Sequence, residues 1–69
     1  MASEADVMKC WNESDEAGFM EAFYELKNHA RLPLIVKLTK ALRDLKRSDP
    51  SYVVKERMLF EAKSTSLHA

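Results

Sequence analysis

The chain has 69 residues, of which 46% are hydrophobic and 32% are charged, and its formal net charge is zero. This length allows one domain, and the apolar fraction is that of a folded chain. No run approaches the ~18 apolar residues of a membrane span, and one glycine and two prolines are few for a turn-rich β fold. We therefore expect an all-α fold, a small bundle of four helices joined by short turns, the first one short. Residues 1–63 would form this single domain, and residues 64–69 a polar, frayed tail.

Cys10 is the only cysteine, so an intramolecular disulfide and a cysteine-rich zinc site are both excluded. The first nine residues have neither the basic start nor the apolar run of a signal peptide. A single thiol suits a reducing compartment, and we expect the protein in the cytoplasm or the nucleus. In this interpretation Cys10 is a small core residue.

Charge is distributed unevenly along the chain. Residues 1–30 hold seven acidic side chains against two basic ones, and residues 31–69 hold nine basic against four acidic, so the halves carry −5 and +5. One interpretation is that the basic half forms a binding surface for an acidic partner. The other is that the two halves of one small domain face each other.

The first predicted helix covers residues 4–11. Ser3 and Asp6 have the spacing of a capping box, in which each side chain accepts a hydrogen bond from the other's backbone N–H. Val7, Met8 and Trp11 would form the buried stripe of this helix, with Cys10 on its edge.

The second predicted helix covers residues 15–30, with Ser14 as its N-cap residue. Gly18 weakens this helix by about 1 kcal/mol relative to alanine, and would admit a close approach of another helix. The apolar stripe consists of Phe19, Phe23, Leu26 and Ala30.

The third predicted helix covers residues 34–47 and is the most clearly two-faced segment. Pro33 suits the first turn of a helix, where its missing N–H costs nothing, and Pro50 ends the helix. The core-facing positions are Leu34, Leu38, Ala41, Leu42 and Leu45. The opposite face is basic and carries Lys37, Lys40, Arg43 and Arg47. Val36 lies in the middle of this basic face.

The fourth predicted helix begins near Asp49 or Ser51 and ends at Lys63. Asp49 is a good N-cap residue, and Pro50 would then occupy the favoured first helical position. The polar residues that follow Lys63 belong to the expected tail.

The apolar residues of the fourth helix do not form a single stripe. One line consists of Val54, Met58, Leu59 and Ala62 and would dock the helix. Val53 and Phe60 form a second line well round the helix, with Tyr52 between the two lines. A helix that is apolar on more than one side is either buried centrally or covered by a partner. The alternative is that the first helix, or the tail through Leu67, folds over the second line.

No signature of catalysis or ligand binding is present in the sequence. There is no glycine-rich phosphate loop, no nucleophile with a nearby base motif and no histidine-rich cluster. We therefore expect no enzyme, no cofactor, no metal site and no small-molecule substrate. The predicted function is a small non-enzymatic interaction module or regulator that binds a protein, or a second copy of itself, through apolar helix faces. The candidate contact residues are Tyr52, Val53, Phe60 and Val36.

The alternative function is that of a nucleic-acid-binding regulator, which would lay the basic face of the helix at 34–47 along phosphates. The residues for this contact are Lys37, Lys40, Arg43 and Arg47. A helix-turn-helix would use residues 29–32 as its turn, without the usual glycine. The acidic first half and the lack of an aromatic residue on the third helix weigh against this function. No family is assigned from the sequence.

Overall fold

The computed structural model describes residues 2–67, with side chains from 2 to 65. Within these residues the chain is all-α, as the sequence predicts, and consists of four helices with no strand. The helices are α1 (Glu4–Asn12), α2 (Glu16–Glu25), α3 (Asn28–Asp44) and α4 (Tyr52–Leu67). None of them combines the length and the apolar character that crossing a bilayer would require.

The capping box at the start of α1 is confirmed. The Ser3 hydroxyl accepts a hydrogen bond from the Asp6 backbone N–H, and the Asp6 carboxylate accepts one from the Ser3 N–H at 2.9 Å. The Asp6 carboxylate accepts hydrogen bonds from both the N–H and the hydroxyl of Ser3, and these two bonds favour its charged form and lower the pKa of Asp6. Val7 and Trp11 are buried as expected, and α1 ends at Asn12.

The turn between α1 and α2 corrects the prediction that Ser14 caps α2. Ser14 has φ = 57°, the left-handed conformation that ends many helices, and its N–H donates to the Trp11 carbonyl at 3.1 Å. The N-cap residue of α2 is instead Asp15, whose carboxylate accepts a hydrogen bond from the Gly18 N–H at 3.0 Å. Ser14 therefore closes α1, and α2 begins one residue later than predicted.

Gly18 lies where α1 and α2 approach each other closely. A Cβ atom at this position would overlap the Asp15 carboxylate and lie 3.1 Å from the Cys10 sulfur. The glycine therefore leaves room for the cap and for the contact with α1, which accounts for a residue that otherwise weakens a helix.

The predicted boundary between the second and third helices is wrong. The break lies at Leu26 and Lys27, which are both extended, with ψ of 147° and 149°. Residues 29–32 therefore belong to α3, and Pro33 lies inside that helix rather than in its first turn. Because Pro33 has no N–H, α3 loses the hydrogen bond to the His29 carbonyl. Both residues are exposed, so water can satisfy that carbonyl.

Helix α3 also ends earlier than predicted, and α4 starts and ends later. α3 stops at Asp44, so Arg47 lies in the following turn. Asp49 folds that turn by accepting hydrogen bonds from the Ser51 N–H and hydroxyl at 2.8 and 2.7 Å, instead of capping α4 directly. The expected tail is helical as far as Leu67, because serine and threonine weaken a helix without stopping it. Residues 68 and 69 lie outside the described residues.

The core is formed by one cluster of apolar side chains from all four helices. α1 packs mainly against α2, while α4 packs against both α2 and α3. The predicted core residues of α2 and α3 are buried together with Trp11, with three exceptions: Ala30 and Leu45 are half-buried, and Ala41 is exposed. The largest fully buried side chains are Phe19, Phe23, Leu34, Leu38, Met58 and Val7.

Candidate functional site

Helix α4 has two apolar faces in opposite environments. Met58, Leu59 and Ala62 are buried against α2 and α3. Phe60 is 69% exposed and Val53 is 64% exposed, and they are the two most exposed large apolar side chains among the described residues. The two lines predicted from the sequence are thus separated in space as the helical spacing requires. We call the exposed side the outer face of α4, defined by Val53 and Phe60.

The outer face contains a shallow open groove lined by Val53, Glu56, Arg57 and Phe60. The Arg57 guanidinium is held by both carboxylate oxygens of Glu16 on α2, at 2.8 and 3.0 Å. This bidentate pair raises the pKa of Arg57, since it favours the charged form. It also anchors one wall of the groove to the neighbouring helix.

The other side of the groove carries charges without partners. Glu56 and Lys63 are exposed, and neither makes an ion pair or a side-chain hydrogen bond within residues 2–65. They lie seven residues apart, which is close to two helical turns, so they share one edge of the outer face. At about 10 Å apart along the helix axis, they are too distant to neutralise each other directly.

Two of the predicted contact residues are placed elsewhere. Tyr52 is half-buried and packs against the core cluster, so only part of its ring adjoins solvent. Val36 is 55% exposed, but it lies on α3 and does not line the α4 groove. Leu32 is 61% exposed one turn before Val36, and it is not among the predicted contact residues because the predicted third helix begins only at residue 34.

The basic residues predicted to contact phosphates do not form one stripe. Lys37 donates to the Glu4 carboxylate at 2.7 Å, which places its ammonium group against α1. Lys40 and Arg43 are exposed on α3, and Arg47 lies beyond its end. Three of the four cations therefore lie on α3, one of them already paired, and the fourth lies in the turn.

The helix-turn-helix arrangement is not observed. The predicted turn at 29–32 is helical, and α2 packs mainly against α1 while α3 packs mainly against α4, so α2 and α3 hardly contact each other. In a helix-turn-helix the second helix is held by packing on the first, so this element does not present α3 in that way.

The charge asymmetry has a structural explanation. Lys37 pairs with Glu4, and Arg57 pairs with Glu16, so both ion pairs found within residues 2–65 join the acidic half of the chain to the basic half. The interpretation that the two halves face each other accounts for these contacts. Both pairs are exposed to solvent, so they orient the helices more than they stabilise them.

Within the described part of the chain, no group of three or more His, Cys, Asp or Glu side chains could hold a metal ion. Cys10 is half-buried beside Gly18, and burial together with the nearby carboxylate of Asp15 raises the pKa of its thiol. A raised pKa keeps the thiol protonated and reduces its reactivity.

Comparison with known proteins adds no relative. No protein-family model matches the chain, and neither a curated protein nor a solved structure shows a significant match. The outer face of α4 is the best-defined candidate site because its two apolar residues are exposed together in one groove.

Proposed function

We propose that this chain is a small non-enzymatic interaction module that binds a protein partner through the outer face of α4. The observation that carries the proposal is the exposure of Phe60 and Val53 in one groove, on a helix whose opposite face already provides its core contacts. Burial of a phenylalanine side chain removes about 150–250 Å² of its surface from water. An exposed phenylalanine can therefore contribute strongly to binding when a partner covers it.

The composition of the groove also fits a protein contact. Protein interfaces typically have an apolar centre and a polar or charged rim. Here Phe60 and Val53 form the apolar part, and Glu56 and Arg57 form charged walls. Because Arg57 is fixed by Glu16, the partner would meet a wall that is already ordered, which reduces the entropy lost on binding.

The experiment compares the proteins retained by three immobilised forms of the full chain in an extract of cells that express it. The forms are the wild type, Phe60→Asp and Leu32→Asp. Leu32 is a matched control because it is an apolar residue of similar exposure on a different helix. We expect quantitative mass spectrometry to find at least one protein retained by the wild type and by Leu32→Asp, and lost with Phe60→Asp.

The proposal is wrong if the three forms retain the same proteins in the same amounts. Circular dichroism of each variant provides the control for folding. Because Phe60 and Leu32 are both exposed, each variant should keep the helical signal of the wild type.

Nucleic-acid binding through α3 stays the alternative function. The supporting observation is that Lys40 and Arg43 are exposed and make no ion pair within the described side chains. If they contact phosphates, reversing both charges should abolish retention on a DNA column and leave the fold intact, and wild-type binding should fall steeply with salt. An absence of wild-type retention at low salt would rule out this alternative.

A further inference from the structure

We propose that the partner docked on the outer face of α4 is α4 of a second copy of this chain, packed antiparallel about a two-fold axis beside Phe60. This inference rests on the proposed function, because it names the occupant of the same surface. It follows from the order of apolar and charged residues along the outer face, which is complementary to itself when the helix is reversed.

Phe60 lies at the centre of the proposed contact. When the two-fold axis passes between the two α4 helices, level with the point midway between residues 59 and 60, Phe60 of one copy lies against Phe60 of the other. Each Phe60 ring then covers the other. Among the described residues, Phe60 is the most exposed large apolar side chain. Aromatic rings in such contact gain about 0.5–1.5 kcal/mol beyond the area that they bury.

The charged part concerns Glu56 and Lys63, which lie at equal distances on either side of that same point. In an antiparallel pair of helices related by a two-fold axis, the same edge of each helix meets the other. Glu56 of one copy is then opposite Lys63 of the second copy, and the reverse pair forms on the other side of Phe60. Both side chains are exposed and unpaired within the described side chains, so neither has to leave a partner.

This coincidence favours a second copy over an unrelated protein. The same two-fold axis brings the Phe60 rings together and places Glu56 opposite Lys63 on both sides of them. Two-fold contacts between identical patches are also the commonest arrangement in small oligomers. The Arg57 side of the groove stays paired with Glu16 in the same copy, so the contact requires no rearrangement of the fold.

The size of the surface sets the expected affinity. A standard stable interface buries about 800 Å² on each partner, which would be about one sixth of the 4709 Å² surface of this chain. One face of a single helix provides less than that. We therefore expect a dimer with a Kd in the micromolar range or weaker, in exchange with monomers.

The test measures self-association of the full chain by sedimentation equilibrium over a wide range of protein concentration. The wild type should shift from 7.9 kDa towards twice that mass as concentration rises.

The single variants Glu56→Lys and Lys63→Glu test the orientation of the dimer. Each of them creates two pairs of like charges across the contact and should weaken the dimer on the order of tenfold. An equimolar mixture of these two single variants should form a heterodimer of wild-type strength, because both opposing pairs are then complementary. The double variant Glu56→Lys with Lys63→Glu should also dimerise like the wild type.

Two results would overturn this inference. One is a wild type that stays at 7.9 kDa at every concentration. The other is a dimer whose single charge variants show no mutual rescue, since that dimer would use another face or another orientation. Neither result overturns the proposed function if Phe60→Asp still selectively loses a different protein from the extract, so the two proposals fail separately. Folding does not confound the comparison, because neither charged side chain has an intramolecular partner among the described residues.

Discussion

The two faces of α4 carry similar apolar residues and have opposite fates. Met58 is completely buried, whereas Phe60, two residues later, is mostly exposed. Hydrophobicity alone does not separate them, because phenylalanine is as apolar as methionine. The two faces differ in what packs against them. α2 and α3 cover one side of α4, and among the described residues no element covers the other side. A chain of 69 residues folds with one core, so an apolar line outside that core stays exposed to solvent.

The largest expected effect is on the inner face. Met58→Ala removes a fully buried side chain and leaves a cavity, which typically costs about 2–5 kcal/mol. Because the free energy of unfolding of so small a domain is low, the variant should be largely unfolded at a moderate urea concentration. Leu38→Ala, at the equally buried centre of α3, should behave alike. A urea midpoint equal to that of the wild type would show that the α3–α4 contact is not central to the fold.

A smaller effect is expected at the turn that holds α1 against α2. Asp15→Ala removes the cap of α2 and should cost about 1 kcal/mol, measured by the same urea unfolding. Asp15→Asn is the matched control, since its side-chain oxygen can still accept the hydrogen bond from the Gly18 N–H. If the control lost more stability than Asp15→Ala, the assignment of the cap would be wrong.

The ion pair beside the groove should contribute less again. Glu16→Gln leaves Arg57 without its carboxylate, and we expect a small loss of stability that disappears at high salt, because the pair is exposed and screened. The comparison of urea midpoints at low and high salt checks this. A loss that persists at high salt would mean that Glu16 acts through packing instead of charge.

Acid should slightly weaken the start of α1, which Asp6 stabilises, and the turn before α4, which Asp49 stabilises. The pKa of Asp6 is lowered by its hydrogen bonds from Ser3, and that of Asp49 by its hydrogen bonds from Ser51. A carboxyl whose folded pKa is depressed stabilises the fold above its unfolded pKa, and this contribution is lost as the pH falls through the lower, folded value. Stability should therefore decline from about pH 4 downward, and the decline should be shallower in Asp6→Asn. An unchanged slope in that variant would contradict the role of the capping box.

Much of the fold could be predicted from the sequence because local signals and helical period agree. The capping box of Ser3 and Asp6 and the two lines of α4 are examples. The boundary between α2 and α3 could not be predicted, because the apolar period continues from Phe23 through Leu26 to Ala30 and no glycine or proline marks the break at Leu26 and Lys27. Leu26 is buried in the core although its backbone is extended, so the apolar pattern continues through the break and does not reveal it.

The candidate site was predictable in part for the same reason. The angular position of Val53 and Phe60 follows from helical geometry once α4 is assigned. The pairing of Arg57 with Glu16 joins residues far apart in the chain, and no local pattern indicates it. Leu32 was missed as an exposed residue of α3 because the helix start was placed after it.

The most direct measurement compares the free energy of unfolding of Phe60→Asp with that of the wild type, by urea titration at a protein concentration low enough to keep both monomeric. If the outer face of α4 takes no part in folding, the two values should agree within about 0.5 kcal/mol, as for other exposed substitutions. A loss of about 3 kcal/mol or more is the cost of disturbing a core phenylalanine. Such a loss would show that Phe60 belongs to the core and that α4 has no free face for a partner.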